Sequence, residues 1–166
     1  MLLRKSIKFL HTIGGAGYGG GLAAYMAMLA FTPDITTIAE HQALRGGLAG
    51  ISGWIILPSM GICIVSGLLS MAVHHPFQNA PWAWIKALSG VLVFESTLVA
   101  IDGPAKAAAK IYNDAAAGVI DAAKAADLVR DEWMAWWILL GLAIANVLLA
   151  VMRPSFKGFG NLFVRD

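Results

Sequence analysis

Four long apolar runs, separated by charge and proline, dominate the chain: roughly residues 7–31, 47–73, 84–101 and 133–152. A transmembrane helix needs about 20 mostly apolar residues, so the pattern predicts four spans and a single all-α integral membrane domain over 1–166. The stops are legible. Thr32-Pro33-Asp34 closes the first run, with Asp34 a candidate cap for a short segment through Arg45; His74-His75-Pro76 closes the second and Arg153-Pro154 the fourth. The third gap differs. Asp102-Gly103-Pro104 has the form of a helix start, with proline at the first helical position. The Ala-rich stretch that follows carries Lys106, Lys110, Asp114, Asp121, Lys124, Asp127, Arg130 and Asp131. Alanine is the best helix former, and Lys110 and Asp114 are one turn apart. A polar helix of about 104–131 is expected outside the membrane, continuing the third span or lying on the surface. The fold class is thus a four-transmembrane-helix bundle with an extra Ala-rich polar helix between spans 3 and 4. The apolar stripe of that extra helix is thin (Ile111, Ala115, Gly118 or Val119, Ala122, Val129), which suits a solvated helix or a partner contact.

Composition sharpens the assignment. Of 166 residues, 58% are hydrophobic and 13% charged, against about 25% charged in an average soluble domain; the bilayer is the expected partner and nucleic acid is not. Arg4 and Lys5 imitate the start of a signal peptide, but the run continues to Phe31 without a clear cleavage signal, and a retained first helix is expected. With the N-terminus inside, the cytoplasmic side holds Arg4, Lys5, Lys8, Lys86, Arg153, Lys157 and Arg165 with only Asp166 against them. The outer side holds Arg45, Lys106, Lys110, Lys124 and Arg130 against eight acidic groups: Asp34, Glu40, Asp102, Asp114, Asp121, Asp127, Asp131 and Glu132. Lysine and arginine favour the cytoplasm, so both termini are placed there, in a multi-pass protein of a bacterial-type inner (plasma) membrane. Trp82 and Trp84 at the inner end, and Trp133, Trp136 and Trp137 at the outer end, read as interfacial belts.

Polar groups inside a span are costly and are functional candidates by default. They are His11, His74, His75, Lys86 and Glu95. His11 on the first span, His74-His75 at the end of the second and Lys86 in the first turn of the third are expected to converge at one depth near the cytoplasmic surface. Imidazole suits iron, copper and zinc, which makes His11 and His74 the candidate metal ligands, and two histidines on facing helices suit a six-coordinate b-type haem. The alternative for each is an interfacial anchor, and Lys86 in particular can snorkel to the headgroups. His11 shares a face with Gly14, Gly15, Tyr18 and Leu22, a groove for a flat ligand. Equally, the pairs Gly15/Gly19, Gly17/Gly21 and Gly46/Gly50 let helices pack closely. Glu95 is nine residues from Lys86 and faces away from it; it is expected to meet a hydrogen-bond donor on another span or to be protonated, with a proton path as its functional reading. Cys63 reads as a small buried hydrophobe, and His41 as a surface-loop histidine.

Lys8-Phe9-Leu10-His11 before a glycine-rich span resembles the first helix of the CopD-like superfamily, which includes the HemJ-type protoporphyrinogen IX oxidases. Pro58-Ser59-Met60 with Gly67-Leu68, and Trp84-Ile85-Lys86, are similar to its second helix and the start of its third. The resemblance covers about the first 100 residues; from Ile101 onward the chain departs from the family pattern. It implies a haem b protein in which His11 and Lys86 are functional. The leading expectation is therefore a HemJ-like, haem-b-binding membrane redox protein, oxidising a porphyrinogen or passing electrons to a quinone. Lys86 and Glu95 are its catalytic candidates, and His11, His74, His75, Gly15, Tyr18 and Lys86 its cofactor-binding candidates. Two alternatives stand beside it: CopD-like metal transport, and a non-catalytic subunit or homo-oligomer within a larger membrane complex.

Overall fold

The computed structural model describes residues 2–31, 37–78, 80–128 and 133–152. Among them every regular element is helical. Helix α1 is Leu2–Phe31, α2 is Ile38–Val73 and α3 is Pro81–Ala116. A single helical turn, His75–Gln78, joins α2 to α3. Helix α4 is Ala122–Leu128 and α5 is Trp133–Met152. Three stretches are long and apolar enough to cross a membrane: Ile38–Val73, Pro81–Ala116 and Ala122–Met152. Helix α1 is 30 residues long, but its glycines and two tyrosines dilute its hydropathy.

Two spans begin and end elsewhere than the apolar pattern predicts. Helix α2 starts at Ile38, not at residue 47, because Thr37 builds a reciprocal cap with Glu40. The Glu40 backbone N–H donates to Thr37 Oγ1 at 3.3 Å, while the Thr37 N–H donates to Glu40 Oε2 at 3.1 Å, satisfying two helix-start donors. Asp34, the cap expected from sequence, lies outside the described residues, as do residues 129–132, the Arg153-Pro154 stop and the charges of the C-terminal tail. Helix α3 runs straight through Asp102-Gly103-Pro104, where a helix start was expected.

The physical device that carries both long helices past their prolines is the same. A proline inside a helix loses an N–H and drives its ring against the carbonyl four residues back. In α2 a π-helical turn, Ser52–Ile56, precedes Pro58, and the Leu57 N–H reaches back to Ser52 O. In α3 a π-helical turn, Leu98–Asp102, precedes Pro104, and the Gly103 N–H reaches back to Leu98 O. Widening the turn by one residue absorbs the ring without ending the helix. The two wide turns are joined: Ser52 Oγ donates to Asp102 Oδ1 at 2.9 Å, and Lys106 Nζ donates to Asp102 Oδ2 at 2.7 Å. Ser52 and Asp102 are buried, so the clasp ties α2 to α3 with both carboxylate oxygens occupied.

The core is shared by all four long helices. Tyr18, Leu22 and Tyr25 of α1 pack with Leu48, Ile56 and Met60 of α2, Val93, Ile101 and Ala105 of α3, and Trp136 and Leu139 of α5. Trp136 is fully buried, its ring 4.6 Å from that of Tyr25, so it belongs to this core and not to an interfacial belt. The bundle exterior is apolar along its length: Trp54, Val99, Leu92, Leu148 and Val151 all stand exposed. A soluble monomer rarely exposes apolar surface of that extent.

The polar helix expected over 104–131 is broken. Helix α3 ends at Ala116, and the chain turns at Gly118 with φ of 73°, a left-handed conformation that costs glycine little; α4 then folds back. The buried face over this stretch is Ala105, Ala108, Tyr112, Ala115 and Ala125. It lies against the first turns of α2, where Tyr112 stacks on His41 at 4.7 Å and Gln42 Nε2 donates to Asn113 Oδ1 at 2.9 Å. His41 is thus a helix residue packed on a ring, not a loop residue. Of the thin stripe expected here, Ala115 is buried and Ile111 packs against the same cluster, whereas Val119 is exposed and Val129 lies outside the described residues.

Candidate functional site

The glycines of α1 set the site's geometry. Gly14 meets the α2 backbone directly: a Cβ there would sit 2.8 Å from both Cys63 N and Ser59 O. Gly17 lies against Ser59 and Gly21 against Ile55 and Ile56. The face bearing Gly14, Tyr18 and Leu22, offered by sequence as a groove for a flat ligand, is therefore filled by α2. Gly15 and Gly19 meet nothing within 4 Å; they are on the open side. Tyr18 is buried and its hydroxyl is 3.1 Å from Thr97 Oγ1 on α3, so it cross-links helices inside the core.

This close approach brings His11 onto α2. Its Nδ1 is 2.8 Å from Cys63 O and 3.2 Å from Ser66 Oγ. A carbonyl only accepts, so Nδ1 carries the proton and Nε2 presents its lone pair. Cys63 Sγ is 3.6 Å from Nδ1 and 3.9 Å from that Nε2, and the ring packs beside Gly67, where a Cβ would come within 3.3 Å of its Cε1. Cys63 is half-buried and is a neighbour of the imidazole, more than the inert filler its setting in an apolar run predicts.

Lys86 anchors a second polar group, between α3 and α5. Its Nζ donates to Asn146 Oδ1 on α5 at 2.5 Å, Asn146 Nδ2 donates to Ser89 Oγ at 2.8 Å, and Ser89 Oγ donates to Lys86 O at 3.0 Å. Asn146 is thereby held with its oxygen turned to the ammonium. Lys86 is half-buried and lies within electrostatic range of His11 and Cys63. Among the described residues the only oxygens it meets belong to a neutral amide; no carboxylate pairs with it. The polar residues thus form two hydrogen-bonded groups, His11 with Cys63 and Ser66 between α1 and α2, and Lys86 with Ser89 and Asn146 between α3 and α5, within electrostatic range of each other.

The remaining sequence candidates lie elsewhere. His74 caps α2, its N–H bonded to Ser70 O at 3.1 Å. It is seven residues past Gly67, roughly 10 Å further along the helix axis at 1.5 Å per residue, so the common depth expected for His11 and His74 is not kept. His75 opens the helical turn, and its side chain lies outside what the structure describes. Glu95 is exposed on the outer face of α3, opposite Lys86 as their spacing predicts, and the donor expected for it on another span is absent among the described residues. No group of three or more His, Cys, Asp or Glu side chains able to hold a metal ion occurs among the described residues.

One participant is invisible to a reading of titratable residues, and one clasp residue is misplaced by it. Asn146 is the one amide in the apolar run Trp133–Met152, and the rule that marks polar groups in spans applies to it as much as to Lys86. Asp102 was placed outside the membrane by its Gly-Pro context, yet it is 6% exposed and bridges two helices. Set against known proteins, the chain matches no family model, no curated protein and no solved structure.

Proposed function

We propose that the protein is a four-span redox protein of a bacterial-type inner membrane, HemJ-like in kind, whose interior centre at His11 and Lys86 receives a carboxylate-bearing tetrapyrrole, haem b first. In this reading α1 is the first span, both termini and residues 74–80 face the cytoplasm, and the paired ends of α2 and α3 with α4 stand outside. The excess of basic residues at the first end and of acidic residues at the second supports that orientation.

The observation that carries the reading is the ammonium of Lys86, half-buried among helices with an amide and, among the described residues, no carboxylate for company. A cation withdrawn from water is stabilised by an opposite charge, and the fold leaves that charge to be brought by a ligand. The donor set suits haem in one form. His11 holds its proton on Nδ1 against Cys63 O, which fixes the tautomer that offers Nε2 to iron, and Lys86 matches a propionate. His74 stands about 10 Å along the helix axis from Gly67, against which the His11 ring packs, and the reading therefore takes His11 alone as the iron ligand. When bound, the haem would supply reversible one-electron chemistry. The chain's part is to orient His11 through Cys63 and Ser66, to hold the carboxylate with Lys86, and to keep Lys86 in place through Asn146 and Ser89. Quinone or porphyrinogen is the substrate class this reading expects.

The absorption spectrum of the protein purified from haem-replete cells tests it. A Soret band that shifts on reduction is expected, lost in His11→Ala and retained in His74→Ala. A folded protein without any chromophore, or one whose band survives His11→Ala, would refute the assignment.

A further inference from the structure

Glu95 sits on the face of α3 turned away from Lys86, exposed and without a hydrogen bond or ion pair among the described residues. On the same line Leu88, Leu92 and Val99 are 65%, 62% and 76% exposed. Their intervals are four, three and four residues, the spacing by which one helix meets another along a seam. Glu95 lies inside the apolar stretch between Leu88 and Ile101, so in a membrane this carboxyl faces either hydrocarbon or another helix. In hydrocarbon a carboxyl is carried in its neutral form and still needs partners for its O–H and C=O.

We infer that this seam is the interface of a homodimer, in which α3 of a second copy lies parallel and Glu95 hydrogen-bonds to Glu95 of the partner subunit. The complementarity is chemical. A neutral carboxyl has one donor and one acceptor, so an identical carboxyl in register satisfies both at once. A twofold axis along the bilayer normal brings each seam against itself and keeps both copies in the same orientation. The flanking positions Ser89, Val91, Ser96 and Leu98 carry no charge, so nothing repels an identical helix and nothing there marks a basic partner. A single polar side chain in such a seam also fixes its register. The inference rests on α3 crossing a membrane and is independent of haem.

The test uses the full chain reconstituted in lipid bilayers. Leu92→Cys should form a disulfide-linked dimer under mild oxidation much faster than Val151→Cys, which is exposed on α5. In dimer equilibria measured by fluorescence transfer, Glu95→Leu should weaken association at least about tenfold, while Glu95→Gln, which keeps a donor and an acceptor, should retain it. Equal cross-linking at both cysteines, or a dimer indifferent to Glu95→Leu, would overturn the interface. Glu95→Gln failing as badly as Glu95→Leu would also overturn it, because a side chain that keeps a donor and an acceptor should preserve the paired hydrogen bonds. Release of the protein from membranes by alkaline carbonate would instead defeat the membrane reading itself, and is scored separately.

Discussion

Gly14 offers the sharpest perturbation. A methyl group there meets Cys63 N and Ser59 O at 2.8 Å and Cys63 Cα at 3.1 Å, all backbone atoms of α2. No rotamer change can relieve the clash, so the helices must part until the contact reaches about 3.4 Å, the lower bound of an ordinary contact. Overpacking of this kind costs about 1–3 kcal/mol. Alanine returns up to about 1 kcal/mol in helix propensity, but Gly15→Ala, with nothing within 4 Å, receives the same gain without the clash. The difference between the two variants therefore isolates the packing. At about 2–4 °C per kcal/mol for a chain of this size, Gly14→Ala should unfold several degrees below Gly15→Ala in a thermal scan of the purified protein in detergent. The separation also reaches the site: His11 is three residues before Gly14, and its 2.8 Å contact to Cys63 O spans the same interface. Ligand binding at His11 should fall with stability in Gly14→Ala and hold in Gly15→Ala. Equal melting of the two variants would refute the claim that α1 and α2 touch backbone to backbone here.

Further consequences can be measured independently. Ser52→Ala removes the donor to a buried Asp102 oxygen, and should cost about 1–3 kcal/mol in the same thermal scan, the desolvation of an acceptor left unmet. Tyr18→Phe breaks the bridge to Thr97 and should cost about 1 kcal/mol, since Thr97 keeps its bond to Val93 O. Gly118→Ala forces a β-carbon into φ of 73°; the cost of about 1 kcal/mol should appear as faster hydrogen exchange over residues 117–125 with the span cores unchanged. Cysteine placed at Asp114 should react with an impermeant reagent from outside intact cells, and one at Lys157 only after permeabilisation; the reverse would invert the proposed orientation.

How much of this was legible depended on range. The apolar periodicity reports which residues avoid water, and it located the hydrophobic body of each long helix. It misjudged the ends because they are settled by other means. The start of α2 belongs to the Thr37–Glu40 cap, and the passage of α3 through Pro104 belongs to a π-helical turn, which no local propensity encodes. The Ala-rich stretch read as one helix because alanine supports any helix; Gly118 and the contact of Tyr112 with His41 divide it, and only the second of these depends on a distant segment. Opposition of Lys86 and Glu95 followed from a nine-residue spacing within one helix. The pairing of His11 with Cys63 and of Lys86 with Asn146 did not, since these join positions 52 and 60 residues apart. The glycines were legible as packing residues but not by register: Gly14, Gly17 and Gly21 face α2, whereas Gly15 and Gly19 do not.

Two lysines enter the bundle from α3, and their surroundings explain why chemistry is assigned to one of them. Lys106 is 60% exposed and bound to Asp102 at 2.7 Å, and that carboxylate is itself bound by Ser52. Charge, donors and acceptors close on themselves, and the clasp holds two helices together with no valence left over. Lys86 is deeper and has Asn146 where a carboxylate would neutralise it. An aspartate at 146 would make a second clasp, stable and closed to ligands. The amide instead positions the ammonium without cancelling its charge, and Ser89 keeps the amide from turning its donor side inward. In the proposed reading, a cation fixed in place with no carboxylate beside it among the described residues is arranged for an anion that arrives from outside the chain, within electrostatic range of an imidazole whose Nε2 is left to coordinate or to exchange a proton.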